Sequence, residues 1–349
     1  MVQVHGRSAL IFSIQYLRGL AALSVAVFHT TLTANQTFYP IPVLSFAAAG
    51  VDVFFVISGF IMWVAGRDQT PGEFFKKRIT RIVPLYWSVT VALYFGWVLV
   101  GHAAPAVIDF LRSLMFIPYV AENGETVPVL VVGWTLNYEM YFYLLFAASL
   151  MAPKMMRAAV LLGTIGILAF SGVVWHLAPP WQLYTSPLLL EFACGALLAM
   201  AFCAGRIPRR QFGIVLILAG ACSLVLSELH PPAADSYWRL IAWGLPAVCI
   251  VAGALSFDGK FFSRTLKAAG DASYSIYLTH TLVISAIKHA LLAIGVNGLM
   301  GGVLLIALGI AASGLFGFAV YSLIERPLLA YVRADRRHVS SAAEPPYPA

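Results

Sequence analysis

Charge is scarce in this sequence. Only 11% of its 349 residues are Asp, Glu, Lys or Arg, and 60% are hydrophobic, against ~25% charged residues in an average soluble domain. An ordinary water-soluble globular chain is excluded. Cysteine is scarce too: Cys194, Cys203, Cys222 and Cys249 sit in or at the ends of apolar segments, with no CxxC pair and no histidine at ligand spacing. That pattern excludes a disulfide framework and a zinc site, and the four thiols read as packing residues. Segments of ~10 residues that alternate apolar and polar, the mark of an outer-membrane barrel, are missing. No short hydrophobic segment near the start ends in a small-residue cleavage site, so the first apolar run is expected to be retained, not removed as a signal peptide. No internal repeat and no appended soluble domain stand out.

Long apolar runs are what the chain does have. Stretches such as "LYWSVTVALYFGWVLV" and "VLLIALGIAASGLFGFAVYSLI" approach the ~20 residues that cross the hydrocarbon core as a helix. The expectation is an all-α polytopic membrane helix bundle. About ten transmembrane helices are placed near 10–33, 46–65, 84–100, 130–150, 158–175, 185–204, 212–228, 239–256, 272–293 and 299–323. Charge decides the ambiguous stretch 103–120, "AAPAVIDFLRSLMFIPYV", which holds Asp109 and Arg112 between Pro105 and Pro118. With ten spans and both termini cytoplasmic, of the 22 Lys and Arg only Arg112, Arg239 and Lys288 fall outside or near the outer edge, and Arg18 falls within the first span. An eleventh span would invert everything after it and export the later basic loops, against the positive-inside bias. Residues 103–120 are therefore expected to form an amphipathic or re-entrant outer segment. The net charge of +7 follows from topology, and no nucleic acid partner is expected. Residues 1–333 form one transmembrane domain on this reading, and 334–349, ending "VSSAAEPPYPA", a disordered tail.

Ionisable groups at the centre of a membrane helix cost ~2.5–3.5 kcal/mol on insertion scales, so they face a cavity or a partner. Arg18 and His29 of the first span are eleven residues apart, roughly three turns plus ~20°, which puts them on one face ~16 Å apart along the axis. Alone, Arg18 reads as a snorkelling interfacial arginine and His29 as a packing residue. Together they read as the lining of a cavity, Arg18 toward the cytoplasm and His29 in the outer half. In the second span, "GVDVFFVISGF", Asp52 lies near the outer end as a helix cap or a pathway residue, and Ser58-Gly59 near the middle as a close-packing patch or a polar lining. The fourth span opens "GWTLNYEMYFYLL"; with Trp134 as interface anchor, Glu139 lies ~7–8 Å deeper, a depth resembling that of His29. Tyr143 shares the face of Glu139.

Toward the cytoplasm, Lys76, Lys77, Arg78 and Arg81 precede Pro84, which is expected to start the third helix. This cluster sets orientation, and Arg78 and Arg81 also have the spacing of a fork for phosphate. In the ninth span, "DASYSIYLTH", Ser273, Tyr277 and His280 share a face, with His280 near mid-membrane. Glu325 stands beside Arg326 before Pro327, as a surface pair and helix stop.

In order along the chain, "YLRGLAALSVAVFH", "GVDVFFVISGF", "RITRIVPLYW", "GWTLNYEMYFY", "SYSIYLTH" and "IERP" resemble the motifs of the acyltransferase-3 family of membrane-bound O-acyltransferases. The likeness covers nearly the whole chain except about 155–235, and the "IQYLRGLAAL" opening is most similar to bacterial exopolysaccharide acetyltransferases of that family. The resemblance implies transfer of an acyl group, usually acetyl, from cytoplasmic acyl-CoA to a sugar hydroxyl of a glycan or a lipid-linked saccharide. It implies a place in the bacterial inner membrane, with acetyl-CoA as donor substrate and no metal. The family's functional residues map onto Arg18, His29, Ser58, Arg78, Arg81 and Glu139; Asp52, Tyr143, Tyr277, His280 and Glu325 are further candidates. On this reading the arginines hold the anionic donor, His29 takes the acceptor proton as general base, and Glu139 orients His29. A covalent acyl-His intermediate stays open beside direct transfer.

The competing reading is a secondary transporter, with His29, Glu139 and Asp52 as a proton or substrate pathway. It calls for internal repeats, which are not seen. A non-catalytic scaffold leaves the cost of so many membrane-embedded polar groups without a purpose.

Overall fold

The computed structural model describes residues 2–4, 7–9, 11–101, 103–121, 124, 126–233 and 236–331. The expected tail, 334–349, lies outside the described residues. After a two-stranded antiparallel hairpin, Val2–Val4 with Arg7–Ala9, every described element is helical. The helices are α1 (Phe12–Thr37), α2 (Gly50–Gly66), α3 (Pro71–Leu99), α4 (Val107–Leu114), α5 (Trp134–Ser149), α6 (Arg157–Trp175), α7 (Leu189–Cys203) and α8 (Arg210–Leu226). They continue with α9 (Tyr237–Leu255), α10 (Arg264–Asp271), α11 (Ser273–Ala293) and α12 (Gly298–Tyr331). Among the described residues, nine helices are long and apolar enough to cross a membrane. The tenth expected span is α5, whose 16 residues reach only ~24 Å.

The segment at 103–120 holds one short helix, α4, of eight residues, too short to span. Val107, Ile108 and Leu111 are exposed, while Asp109 and Arg112 pair at 3.1 Å. Tyr86 and Trp87 of α3 bind α4 by its last carbonyls, Ser113 O at 3.1 Å and Leu114 O at 2.8 Å. The segment is thus docked on the third helix.

Helix α3 departs from expectation. It begins at Pro71, not at Pro84, because Thr70 and Glu73 form a reciprocal capping box and Pro71 fits the first turn. Pro84 lies inside the helix, where it removes one backbone hydrogen bond. Lys76, Lys77, Arg78 and Arg81 therefore stand on a rigid helical wall, not in a loop.

Lipid tails are as apolar as leucine, so membrane helices associate by close packing. The α2–α7 contact shows this. A Cβ on Gly59 or Gly195 would drive into backbone, that of Phe192 and of Val56 respectively. Helix α1 sits centrally against α2, α9, α10, α11 and α12. The aromatic core lies beside it, with Phe60, Phe74, Phe142, Phe146 and Phe192 buried. Helices α6 and α8 are peripheral, only 22% and 17% buried in their apolar windows.

Two spans begin deep inside the bundle. The short turn Ser45–Ala49 brings the chain inward, Ser24 Oγ donates to Ala47 O at 2.7 Å, and Gly50 lies against Ala21 and Val25 near the middle of α1. Helix α5 starts beneath the segment that follows α4, and its Trp134 stacks against the Arg239 guanidinium at 5.6 Å.

Candidate functional site

Depth sorts the polar side chains into two layers. The inner layer gathers residues from α1, α2, α3, α5 and α12. Glu139 Oε1 accepts hydrogen bonds from Ser58 Oγ at 3.1 Å and from the Tyr143 hydroxyl. Arg18 is within electrostatic reach of Arg81, Glu325, Glu139 and Tyr143, and Arg78 of Tyr143, Arg81 and Glu139. The Arg18 guanidinium donates to Gln15 Oε1 at 3.4 Å, and Gln15 is itself held by Asp271 at 2.7 Å. Arg78 lies over the Phe74 ring at 5.6 Å with its Nε buried and unpartnered in the protein. Glu325, 2% exposed, accepts from Ser275 Oγ at 2.5 Å, so it belongs to this layer and is not the surface pair that its neighbour Arg326 suggests.

Among the described residues, no ion pair ties up Arg18, Arg78 or Arg81. Guanidinium geometry matches phosphate and carboxylate, so three such groups with spare donors in one layer of the bundle are chemically able to hold an anion.

The outer layer is a pair of imidazoles. His29 Nδ1 lies 3.0 Å from Val25 O and 3.2 Å from Nε2 of His280. The ring centroids are 4.9 Å apart. His280 is fully buried, and its Nδ1 sits 2.6 Å from Tyr277 O. Below it the Tyr277 hydroxyl donates to Val132 O at 3.1 Å and shares a 2.9 Å bond with Thr135 Oγ1, tying α11 to the start of α5. The shared face of Tyr277 and His280 thus turns inward to α5 and α1.

Glu139 makes no hydrogen bond to His29 among the described residues. Its hydrogen-bond partners are Ser58 and Tyr143, and its electrostatic neighbours are Arg18 and Arg78 together with Tyr274 and Tyr277. Among the described contacts, the imidazole partner of His29 is His280.

Asp52 is neither a helix cap nor a free pathway group. Both its oxygens, fully buried, accept from Arg239, at 3.0 Å from Nε and 2.9 Å from the terminal nitrogen. The guanidinium lies between the rings of Trp134 at 5.6 Å and Trp243 at 5.1 Å. Glu191, also fully buried, stands beside the pair. Neither Arg239 nor Glu191 is prominent in sequence. A buried acid in one span and a lone outer arginine in another were the signal that could have joined them.

Residues 11–321 match the acyltransferase domain family designated acyltransferase-3. The chain is 41% identical over 303 residues to the exopolysaccharide production protein ExoZ of Rhizobium meliloti, covering 83% of this chain and 92% of that protein. It is 27% identical over 338 residues to the protein BcsY of Komagataeibacter xylinus, covering 90% of this chain and 82% of that protein. It is 24% identical over 316 residues to the peptidoglycan O-acetyltransferase OatA of Listeria monocytogenes, covering 78% of this chain and 49% of that protein. No solved structure matches. An all-helical multi-pass bundle with an arginine layer below a histidine pair, matched to the family from the first helix to the last, belongs to the acyltransferase-3 family and is a membrane O-acyltransferase.

Proposed function

We propose that this chain transfers an acetyl group from cytoplasmic acetyl-CoA to a hydroxyl of an exopolysaccharide or other cell-surface glycan, or of its lipid-linked precursor, in a bacterial inner membrane. The observation that carries the reading is the layering: unpaired guanidinium groups inward and an imidazole outward on the same helix. Arg18 and His29 are separated by ~16 Å along α1, a distance suited to a donor whose phosphates stay near the inner face while its pantetheine arm enters the bundle. Relatives named for exopolysaccharide production and peptidoglycan O-acetylation support the acceptor class.

Arg78 and Arg81, held on the α3 wall, bind the anionic end of the donor, with Arg18 one step deeper. Ser58, Glu139 and Tyr143 form a hydrogen-bonded wall at the depth of Arg18. His29 Nε2, whose ring partner is engaged through Nδ1, takes the acceptor proton. The acceptor oxygen then bonds to the acyl carbon, the carbon–sulfur bond breaks, and the thiolate recovers a proton from His29.

Radiolabelled acetyl-CoA supplied to membranes tests this. His29→Ala should abolish label transfer to glycan while the protein remains inserted at wild-type level. Wild-type transfer by that variant would remove the proposed base.

A further inference from the structure

The two imidazoles can share a proton in only one way that satisfies all their contacts. His280 Nδ1 is 2.6 Å from Tyr277 O, and a carbonyl oxygen only accepts, so Nδ1 carries the hydrogen and Nε2 the lone pair. That lone pair faces His29 Nδ1 at 3.2 Å, and Val25 O, a second acceptor, faces the same atom at 3.0 Å. His29 Nδ1 is therefore the donor, shared between two acceptors. The opposite tautomers would set lone pair against lone pair at both carbonyls. With Nδ1 committed, His29 Nε2 is left with its lone pair.

We infer that His280 is the positioning residue of the acyl-transfer base: it fixes the ring and tautomer of His29 and accepts hydrogen-bond density from Nδ1 when Nε2 takes the acceptor proton. The assignment rests on the reading of His29 as base. It gives His280 the place that a carboxylate holds in a Ser-His-Asp arrangement. Val25 alone orients Nδ1 but lies on the same helix turn and cannot fix the ring against rotation from outside; His280, immobilised by Tyr277, comes from α11.

The variants His280→Leu and His280→Gln separate this role from simple packing. Leucine fills the space without an acceptor, whereas the glutamine amide oxygen can stand where Nε2 stands. Purified protein in nanodiscs should show kcat for His280→Leu lowered about 30- to 100-fold, a fraction of the general-base contribution, with donor KM within about twofold of wild type. His280→Gln should keep at least about one third of kcat. Nitrogen-15 NMR of labelled histidine in the wild-type protein should show His29 with Nδ1 protonated and Nε2 bare.

Wild-type kcat in His280→Leu, equal losses in both variants, or a protonated Nε2 on His29 would each overturn the assignment. If His280→Leu fails to accumulate, the glutamine variant and the wild-type spectrum decide alone. His29→Ala separates the two levels. Full activity there sinks the base itself, whereas an inactive His29→Ala beside a fully active His280→Leu sinks only the role of His280.

Discussion

Replacing Arg239 by Leu should be among the most damaging single changes in this bundle, although it lies outside the proposed reaction path. The side chains of Arg239 and Asp52 are 4% and 0% exposed and meet through two parallel bonds of 3.0 and 2.9 Å. Removing the guanidinium leaves the Asp52 carboxyl facing Glu191 with no cation, and breaking a buried pair by losing one partner costs about 3–5 kcal/mol. The lost contacts with Trp134 and Trp243 add up to ~2 kcal/mol when desolvated. Set against a total stability of about 5–15 kcal/mol, that is enough to lower the folded yield sharply. The double variant Asp52→Leu with Arg239→Leu should recover most of the loss, since apolar replacement of a whole buried pair is often neutral. Thermal and denaturant unfolding of the four proteins in detergent gives the coupling energy, expected to be at least ~2 kcal/mol. Additive single effects, or a loss under ~0.5 kcal/mol for Arg239→Leu, would refute the reasoning. Acetyl transfer per folded molecule supplies the second readout. A structural lock predicts turnover by the double variant, whereas a transport pathway through Asp52 predicts none.

Arg78→Gln and Arg81→Gln should each raise the KM for acetyl-CoA about 10- to 100-fold, the equivalent of one charge-assisted bond, with little change in kcat; donor saturation curves check this, and unchanged KM in both would remove the phosphate site. Gly195→Leu should prevent accumulation of folded protein, because its side chain would enter the Val56 backbone; fluorescence-detected size exclusion reports it. The hydrogen bond from Lys154 at 3.2 Å holds the Asp68 carboxyl below its ordinary value. Its small stabilisation is present above about pH 4 and fades as pH falls through the depressed value. At 67% and 74% side-chain exposure the pair contributes under ~1 kcal/mol, so Lys154→Met should shift the melting temperature slightly at pH 7 and not at all near pH 2.

Nine of the ten expected spans are legible as long apolar helices, and the expectation that 103–120 does not span, met by a helix of only eight residues there, comes from where the positive charges fall. Depth is not legible in this way. Counting residues down from Trp134 assumed that a tryptophan at a helix start marks the interface, but this indole is stacked on Arg239 inside the bundle. A periodicity argument places Glu139 and Tyr143 on one face, as found, but is blind to a helix of 16 residues that starts below the surface. The start of α3 at Pro71 is hidden from periodicity for a related reason. Pro71 and Pro84 both suit a first turn, and only the capping box at Thr70 and Glu73 distinguishes them. The partner of His29 lies 251 residues away, a separation that no local pattern encodes.

The displacement of Glu139 from the histidine layer has a chemical sense on the proposed assignment. In a water-poor bundle, a carboxylate in contact with His29 would favour a standing imidazolium–carboxylate pair, with a proton already on Nε2. Such a ring cannot accept another proton. A neutral imidazole partner orients Nδ1 equally well but supplies no full negative charge, so Nε2 stays bare until the acceptor hydroxyl and the acyl carbon meet. The Glu139 carboxyl is instead placed near the guanidinium groups of Arg18 and Arg78, with Glu325 also near Arg18. Exchanging these two environments tests the idea. Introducing an acid at the outer layer by His280→Glu should leave His29 oriented yet protonated, giving less transfer than His280→Gln at neutral pH despite the closer likeness to a serine-protease triad. Transfer by His280→Glu at or above the glutamine variant's rate would show that the base tolerates a charged partner, and the separation of the two layers would then need another cause.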